Sequence, residues 1–233
     1  HEVSMRINKL LSNYGYCSRK EANDYILAGR VRIHGHLATP GQWVEKEDLI
    51  TLDGVLVTSK APCYFLYHKP PGVVCTHDEK VPGNILTKLS LPSYAFPVGR
   101  LDKASQGLLL LTNDGDLCQW ILQEAHEVEK TYEVTVDNPL KEAHLQALSL
   151  GVDISIGITK PCTVKRVDTH TFHITLTQGM NRQIRRMVKV FGYDVVKLFR
   201  FRLHHLTLGD LKEGALRPLT KEEVQGFQSP SHL

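Results

Sequence analysis

Apolar residues recur along this chain with two periods, and the changes of period mark its elements. Ile184, Met187, Val188 and Phe191 fall at i, i+3, i+4 and i+7, the spacing of one helix face, and Gly192 follows as a stop. Ser18-Arg19-Lys20-Glu21 has the form of a capping box, ahead of an apolar face made by Ala22, Tyr25 and Ile26 and a closing Gly29. Pro139 to Leu150 and a stretch after an Asp116 cap, with Leu117, Trp120 and Ile121, predict two further helices. Alternation with a period of two predicts strands at Val31–Ile33, Leu49–Leu52, Tyr64–Tyr67, Tyr132–Val136 and Thr171–Thr177. Leu108 to Leu111 is wholly apolar and meets the turn signal Asn113-Asp114-Gly115, so it reads as a buried strand. Many strands with a few covering helices predict an α+β fold on a mixed, largely antiparallel sheet.

The pattern divides the chain into a small unit over residues 5–55, a linker over 56–63, and a larger domain over 64–228. At 233 residues with 42% hydrophobic content, both parts can hold a core. Five scattered cysteines (Cys17, Cys63, Cys75, Cys118, Cys162) lack any Cys-x-x-Cys pair and fit reduced thiols. No run approaches the ~18 apolar residues of a membrane span, and the opening His1-Glu2-Val3-Ser4 has no apolar leader, so a cytoplasmic protein without a membrane partner is expected. The chain has no glycine-rich nucleotide loop and no metal-ligand spacing. His34/His36 and His204-His205 read as exposed histidines, and neither cofactor nor metal is expected.

The net charge is only +3, yet its distribution is uneven. Between Met5 and His36, Arg6, Lys9, Arg19, Lys20, Arg30 and Arg32 face only Glu21 and Asp24, an excess of four positive charges. Such a concentration on a small helix-and-strand unit suggests contact with a phosphate backbone, against the plainer reading of a solvated charged face. Arg182, Arg185, Arg186 and Lys189 repeat the helical spacing two residues ahead of the apolar stripe, on nearly the opposite side at ~3.6 residues per turn. Helix surfaces normally mix signs to gain pair energy, so an all-basic stripe is better read as facing RNA or a cleft.

Asp102 is the candidate for chemistry. It lies in Gly99-Arg100-Leu101-Asp102-Lys103-Ala104-Ser105-Gln106-Gly107, on a loop entering the buried strand, where a scaffold can hold a reactive group still. That segment resembles the catalytic signature of the RNA pseudouridine synthases in the branch named after RsuA. Lys69-Pro70-Pro71-Gly72-Val73, Lys130-Thr131-Tyr132 and Gln178 to Met187 resemble the same family's other motifs, and the likeness runs over nearly the whole chain. Lys103 with Ser105-Gln106, and Asn181 to Met187, look most like members acting on large-subunit ribosomal RNA. The small unit resembles the RNA-binding domain shared with ribosomal protein S-four, with His34 where an Asn is more usual.

The resemblance implies isomerisation of uridine to pseudouridine: uracil leaves C1′ of its ribose, turns, and rejoins through C5, with no redox change and no net hydrolysis. It assigns to Asp102 the carboxylate beside the sugar, as nucleophile, base or charge stabiliser. It assigns to Arg185 the cation that keeps this carboxylate charged, and to Tyr132 contact with the base. Arg100 would fill the gap left by an extruded nucleotide. Arg6, Lys9, Arg19, Lys20, Arg30, Arg182 and Arg186 are the expected RNA-binding residues. The partner expected is ribosomal RNA, with tRNA second, bound by a monomer. Lys69 reads as structural or phosphate-contacting, and Leu208 as pocket lining or ordinary core. Two rival readings are a non-catalytic RNA-binding ribosome assembly factor and a glycosidase-like enzyme releasing free base. The latter usually needs a second carboxylate, for which only Asp114 and Asp116 stand near.

Overall fold

The computed structural model describes residues 4–76, 80–85, 89, 91 and 94–227. Residues 1–3 and residue 228, the expected end of the larger domain, lie outside them. The chain forms two compact units. One comprises His1–Tyr64, Ser90–Phe96 and Leu111–Gly115, the other Phe65–Leu89, Pro97–Leu110 and Asp116–Leu233.

In the first unit, β1 (Met5–Arg6) leads into α1 (Ile7–Asn13) and α2 (Arg19–Leu27). These are followed by β2 (Val31–Ile33), β3 (His36–Leu37), β4 (Trp43–Val44), β5 (Ile50–Leu52) and β6 (Val55–Leu56). Strands pair in the order β3-β2-β5-β6, while β1 pairs with β4. Ser18 and Glu21 make the expected reciprocal cap at the start of α2. Ile7, Leu10, Leu11, Ala22, Ile26, Val31, Ile33 and Ile50 then close one apolar core. The β2–β3 turn places His34 and Gly35 at φ 50° and 80°, the two-residue hairpin geometry that Asn-Gly usually supplies.

Two expectations are corrected. The linker begins later than expected, because Val55–Leu56 pair with β5 and Val57 is buried, its amide donating to Ile50. Asp116 is not a helix cap: α3 (Gly115–Leu122) starts ahead of it, after Thr112 Oγ1 accepts from the Asp114 amide and closes the turn.

The second unit is built on a nine-stranded sheet. Its strands include β7 (Tyr64–Lys69), β8 (Phe96–Val98), β9 (Gln106–Thr112), β10 (Lys130–Val136), β11 (Thr163–Arg166) and β12 (Thr171–Leu176). The rest are β13 (Val195–Leu203), β14 (Leu206–Thr207) and β15 (Leu216–Pro218). The order is β11-β12-β10-β13-β9-β7-β15, with β14 beside β13 and β8 beside β9. The β13–β9 pair is parallel, and the other described registers of this sheet are antiparallel. α4 (Glu142–Leu150) and α5 (Gln183–Val190) contribute Leu145, Leu148, Ile184, Met187 and Val188 to a core shared with Val134, Phe172, Ile174 and Leu198 of the sheet. Full burial of side chains this size stabilises by roughly 1.5–3 kcal/mol each. α4 starts later than the expected Pro139, because the Leu140 amide and carbonyl are bonded sideways to Thr169 and Arg166.

The parallel junction positions the candidate chemistry. Leu108 to Leu111 are wholly buried, as a strand covered on both faces requires. Gly107 lies against Arg200 of β13, and a Cβ there would collide with the Arg200 carbonyl oxygen. Gly107→Ala, at φ 118°, should therefore part the junction. The expected loss is on the order of 3 kcal/mol, measured by urea unfolding, and an unchanged midpoint would refute this account of the junction.

Candidate active site

The loop carrying Asp102 runs from β8 to β9 and is held from below by Lys69. This side chain at the end of β7 is fully buried, and its Nζ donates to the carbonyls of Pro70 at 3.0 Å, Lys103 at 3.1 Å and Ser105 at 2.6 Å. The Gly72 amide donates to the Lys103 carbonyl at 2.7 Å, and the Ser105 amide to the Asp102 carbonyl at 2.9 Å. Burial pushes the Lys69 ammonium below the ordinary lysine range, while Cys75 and Asp102 act in the opposite sense. Lys69 is thus the clamp of the loop.

Two guanidinium groups meet the carboxylate. Arg185 Nε and Arg182 Nη1 each lie 3.3 Å from Asp102 Oδ2, and Arg185 Nη2 donates to Ser105 Oγ at 3.1 Å. Oδ1 has no hydrogen bond among the described residues, and the Asp102 side chain is 33% exposed. The carboxylate is held through one oxygen and presents the other. Ion pairs this exposed contribute about 1 kcal/mol or less, so their effect is orientation more than stability. Arg182 caps α5 from the left-handed region, φ 49° and ψ 39°, a strained conformation of the kind that gathers at functional sites.

The basic stripe of α5 divides. Arg182 and Arg185 turn to Asp102, while Arg186 bonds Asn181 and Lys189 pairs with Asp194 at 2.8 Å. The stripe itself holds no acid, as the sequence shows, and its acidic partners Asp102 and Asp194 come from beyond the helix. Arg185 points away from the core, as its spacing predicts, and that direction is the one that reaches the Asp102 loop.

Tyr132 is half-buried on β10, packs on the core edge and makes no side-chain hydrogen bond among the described residues. Its register partner on β13 is Arg200, which no motif singled out. Arg100 is exposed, and no described contact joins it or Tyr132 to Asp102. Leu208 is buried. The roles of Lys69 and Ser105 in holding the loop depend on chain segments brought together only by folding, and spacing carried no signal for them.

In the first unit, Arg6, Lys9 and Arg19 line one open cleft of about 530 Å³ together with Asn8 and Asn23. Arg6 also donates to the Gly41 carbonyl and lies over Trp43. Arg30 makes a two-pronged pair with Asp53, at 2.9 and 2.7 Å, over the Tyr25 ring, so its charge is answered locally. His34 has a carboxylate neighbour that its spacing did not reveal, Asp48 at 3.0 Å. Among the described residues no three His, Cys, Asp or Glu side chains gather as metal ligands, and no helix is long and apolar enough to cross a membrane.

Residues 63–189 match the model of the RNA pseudouridylate synthase family, and residues 5–50 match the S4 domain. This chain belongs to the RNA pseudouridylate synthase family. It is 42% identical to the dual-specificity RNA pseudouridine synthase RluF of Escherichia coli, over 96% of this chain and 78% of that protein. It is 33% identical to the ribosomal large subunit pseudouridine synthase B of Bacillus subtilis, over 96% of each. A solved pseudouridylate synthase superposes with a TM-score of 0.70 at 30% identity, over 95% of this chain and 99% of that one.

The synthase span takes in Lys69, Asp102, Ser105, Tyr132, Arg182 and Arg185, and ends before Arg200. The basic cleft residues fall within the S4 span. In this synthase, Lys69→Met should leave three carbonyls without their donor, costing about 3 kcal/mol and speeding amide exchange across residues 102–105. Because burial depresses the Lys69 pKa, its penalty is fully present below the folded value and is relieved as pH climbs toward the ordinary lysine range. The wild type should therefore gain stability over the variant as pH rises, and parallel pH curves would contradict the assignment.

Proposed function

We propose that Asp102 is the carboxylate that meets the ribose of a target uridine, with Arg185 and Arg182 orienting it through Oδ2. The observation that carries this reading is the carboxylate itself, gripped by two guanidinium groups through Oδ2, unbonded among the described residues at Oδ1, and reachable from solvent. Detaching uracil leaves C1′ electron-deficient, and an ionised carboxylate beside it can attack, take a ribose proton or stabilise the charge. Tyr132 contacts the extruded base, and Arg100 enters the space that the nucleotide leaves. Unstacking is required because the glycosidic carbon is hidden in a stack, at a cost of a few kcal/mol.

The division drawn from the sequence gives residues 5–55 the task of binding RNA and residues 64–228 that of catalysis. Arg6, Lys9 and Arg19 contribute backbone contacts that fix register and carry no base specificity, with Lys20 and Arg186 adding charge. The substrate is structured large-subunit ribosomal RNA, by likeness to the Bacillus subtilis relative named for that subunit. The relative named as dual-specific makes a tRNA the second RNA to test. The protein works as a cytoplasmic monomer.

Asp102→Asn should abolish tritium release from C5-labelled uridine in RNA while leaving RNA affinity nearly intact. Full activity in that variant would remove Asp102 from the mechanism and favour the non-catalytic assembly factor. Lys9→Ala should weaken RNA binding and lower the slope of log affinity against log salt by about 1, with the single-turnover rate at saturating RNA unchanged. An unaltered slope would take the cleft out of the RNA interface.

A further inference from the structure

Arg200 is 2% exposed, and its Nη2 has no hydrogen-bond partner among the described residues. Its Nε donates to the Leu108 carbonyl at 2.9 Å, which fixes the guanidinium beside the start of β9. A buried donor left unsatisfied is costly, more so when charged, and such an orphan in a native fold calls for an explanation. A second cation stands close by. Lys130, half-buried at the head of β10, has only a long 3.4 Å contact from Nζ to the Gln178 carbonyl, and a Cβ on Gly179 would lie 3.5 Å from it. Burial pushes the Lys130 ammonium below the ordinary lysine range, and the Arg200 charge pushes it the same way with no carboxylate acting against them. Neither residue has an ion-pair partner among the described residues. Two unanswered cations in a half-dry place are prepared for an anion.

The register locates that anion. Arg200 is the cross-strand partner of Tyr132, so the two side chains share a sheet face. It is also the partner of Gly107, five residues beyond Asp102. We propose that Arg200 and Lys130 form a buried cationic seat that takes up the negative charge of the uracil as it departs. This rests on the reading of Asp102 given above. In the step concerned, the N1–C1′ bond breaks with its electron pair remaining on the base, and the uracil anion spreads that charge over N1, O2 and O4. The electron-deficient C1′ is answered by Asp102. When C5 rejoins C1′ with an electron pair of the anion, the C5 proton leaves to a base and N1 gains a proton, so charge and atoms balance. Preorganised donors aimed at charge that develops only during reaction are the most effective kind. A phosphate of the RNA backbone would suit the same cations chemically, but a group 2% exposed beside the base-contacting tyrosine is better placed for the base.

The test compares RNA carrying uridine with RNA carrying 5-fluorouridine, whose base is the more acidic and so the better leaving anion. Fluorine at C5 blocks the last proton loss, so the readout is single-turnover consumption of the labelled nucleoside. Lys130→Met should slow uridine consumption on the order of a hundredfold, and 5-fluorouridine on the order of tenfold, with RNA affinity unchanged. Arg200→Met should do the same. Arg200→Lys should restore part of the rate, and Lys130→Met carries the test if the Arg200 variants do not fold. Equal losses on both RNAs, no loss, or weakened affinity with a smaller salt slope would each overturn the proposal, the last in favour of a phosphate contact. If wild-type protein consumed neither RNA, the reading of Asp102 would fall instead.

Discussion

Lys69 enters the interior as a cation and meets three carbonyl oxygens where a carboxylate would be the usual answer. Taking an ammonium out of water is costly, and carbonyl dipoles offset that cost only when several converge in good geometry. Here they converge because the chain turns at Lys103-Ala104 and sends the carbonyls of Lys103 and Ser105 inward. The turn and the buried cation therefore require each other. The consequence for function is that Asp102 is not consumed in neutralising Lys69. Its side chain is left part-exposed, with the loop beneath it anchored and one oxygen without a hydrogen bond among the described residues.

A second constraint acts from the opposite side. α5 buries Ile184, Met187 and Val188 against the sheet, and the same 3.6-residue period turns Arg182 and Arg185 away from it. Burial of the apolar stripe sets the rotation of the helix, and that rotation aims two guanidinium groups at Asp102 across roughly eighty residues of sequence. Packing energy supplied by one face is in this way converted into positioning on the other. The exposed ion pairs could not hold the helix by themselves, since each contributes about 1 kcal/mol or less.

Where a feature is local, the sequence displayed it. The Ser18-Glu21 cap, the apolar stripe of α5 and the strand ahead of Asn113 each follow from residues within one or two turns of one another. Arg185 beside Asp102 was legible only through family likeness, because nothing local ties residues so far apart. Lys69 was legible as structural but not as a clamp, since its three acceptors come from other positions of the chain. Arg200 carries no local signal, because an arginine reads as solvent-facing and only the pairing of β13 with β9 and β10 buries it. The start of α4 and the extent of β6 were missed for a related reason. Leu140 is bonded to Thr169 and Arg166, and Val55–Leu56 to β5, and such tertiary bonds override helix or linker propensity.

The charges around Asp102 do not balance, and the imbalance has a direction. The described residues set Arg182 and Arg185 against one carboxylate, Lys69 under its loop, Arg200 one strand across from β9, and Lys130 on the strand beyond. A protein without its RNA bears the mutual repulsion of these cations, partly screened where they are exposed and scarcely screened where they are buried. RNA supplies negative charge twice, in its backbone as it binds and in the base as the glycosidic bond opens. The first contribution is available to every nucleotide that docks, and so favours binding without selecting chemistry. The second appears only as the bond opens, and an interaction that strengthens only then lowers the barrier instead of deepening the ground state. On the proposed reading of Asp102, Arg200 and Lys130, an excess of buried positive charge is a cost in the resting protein and an advantage in the reacting one.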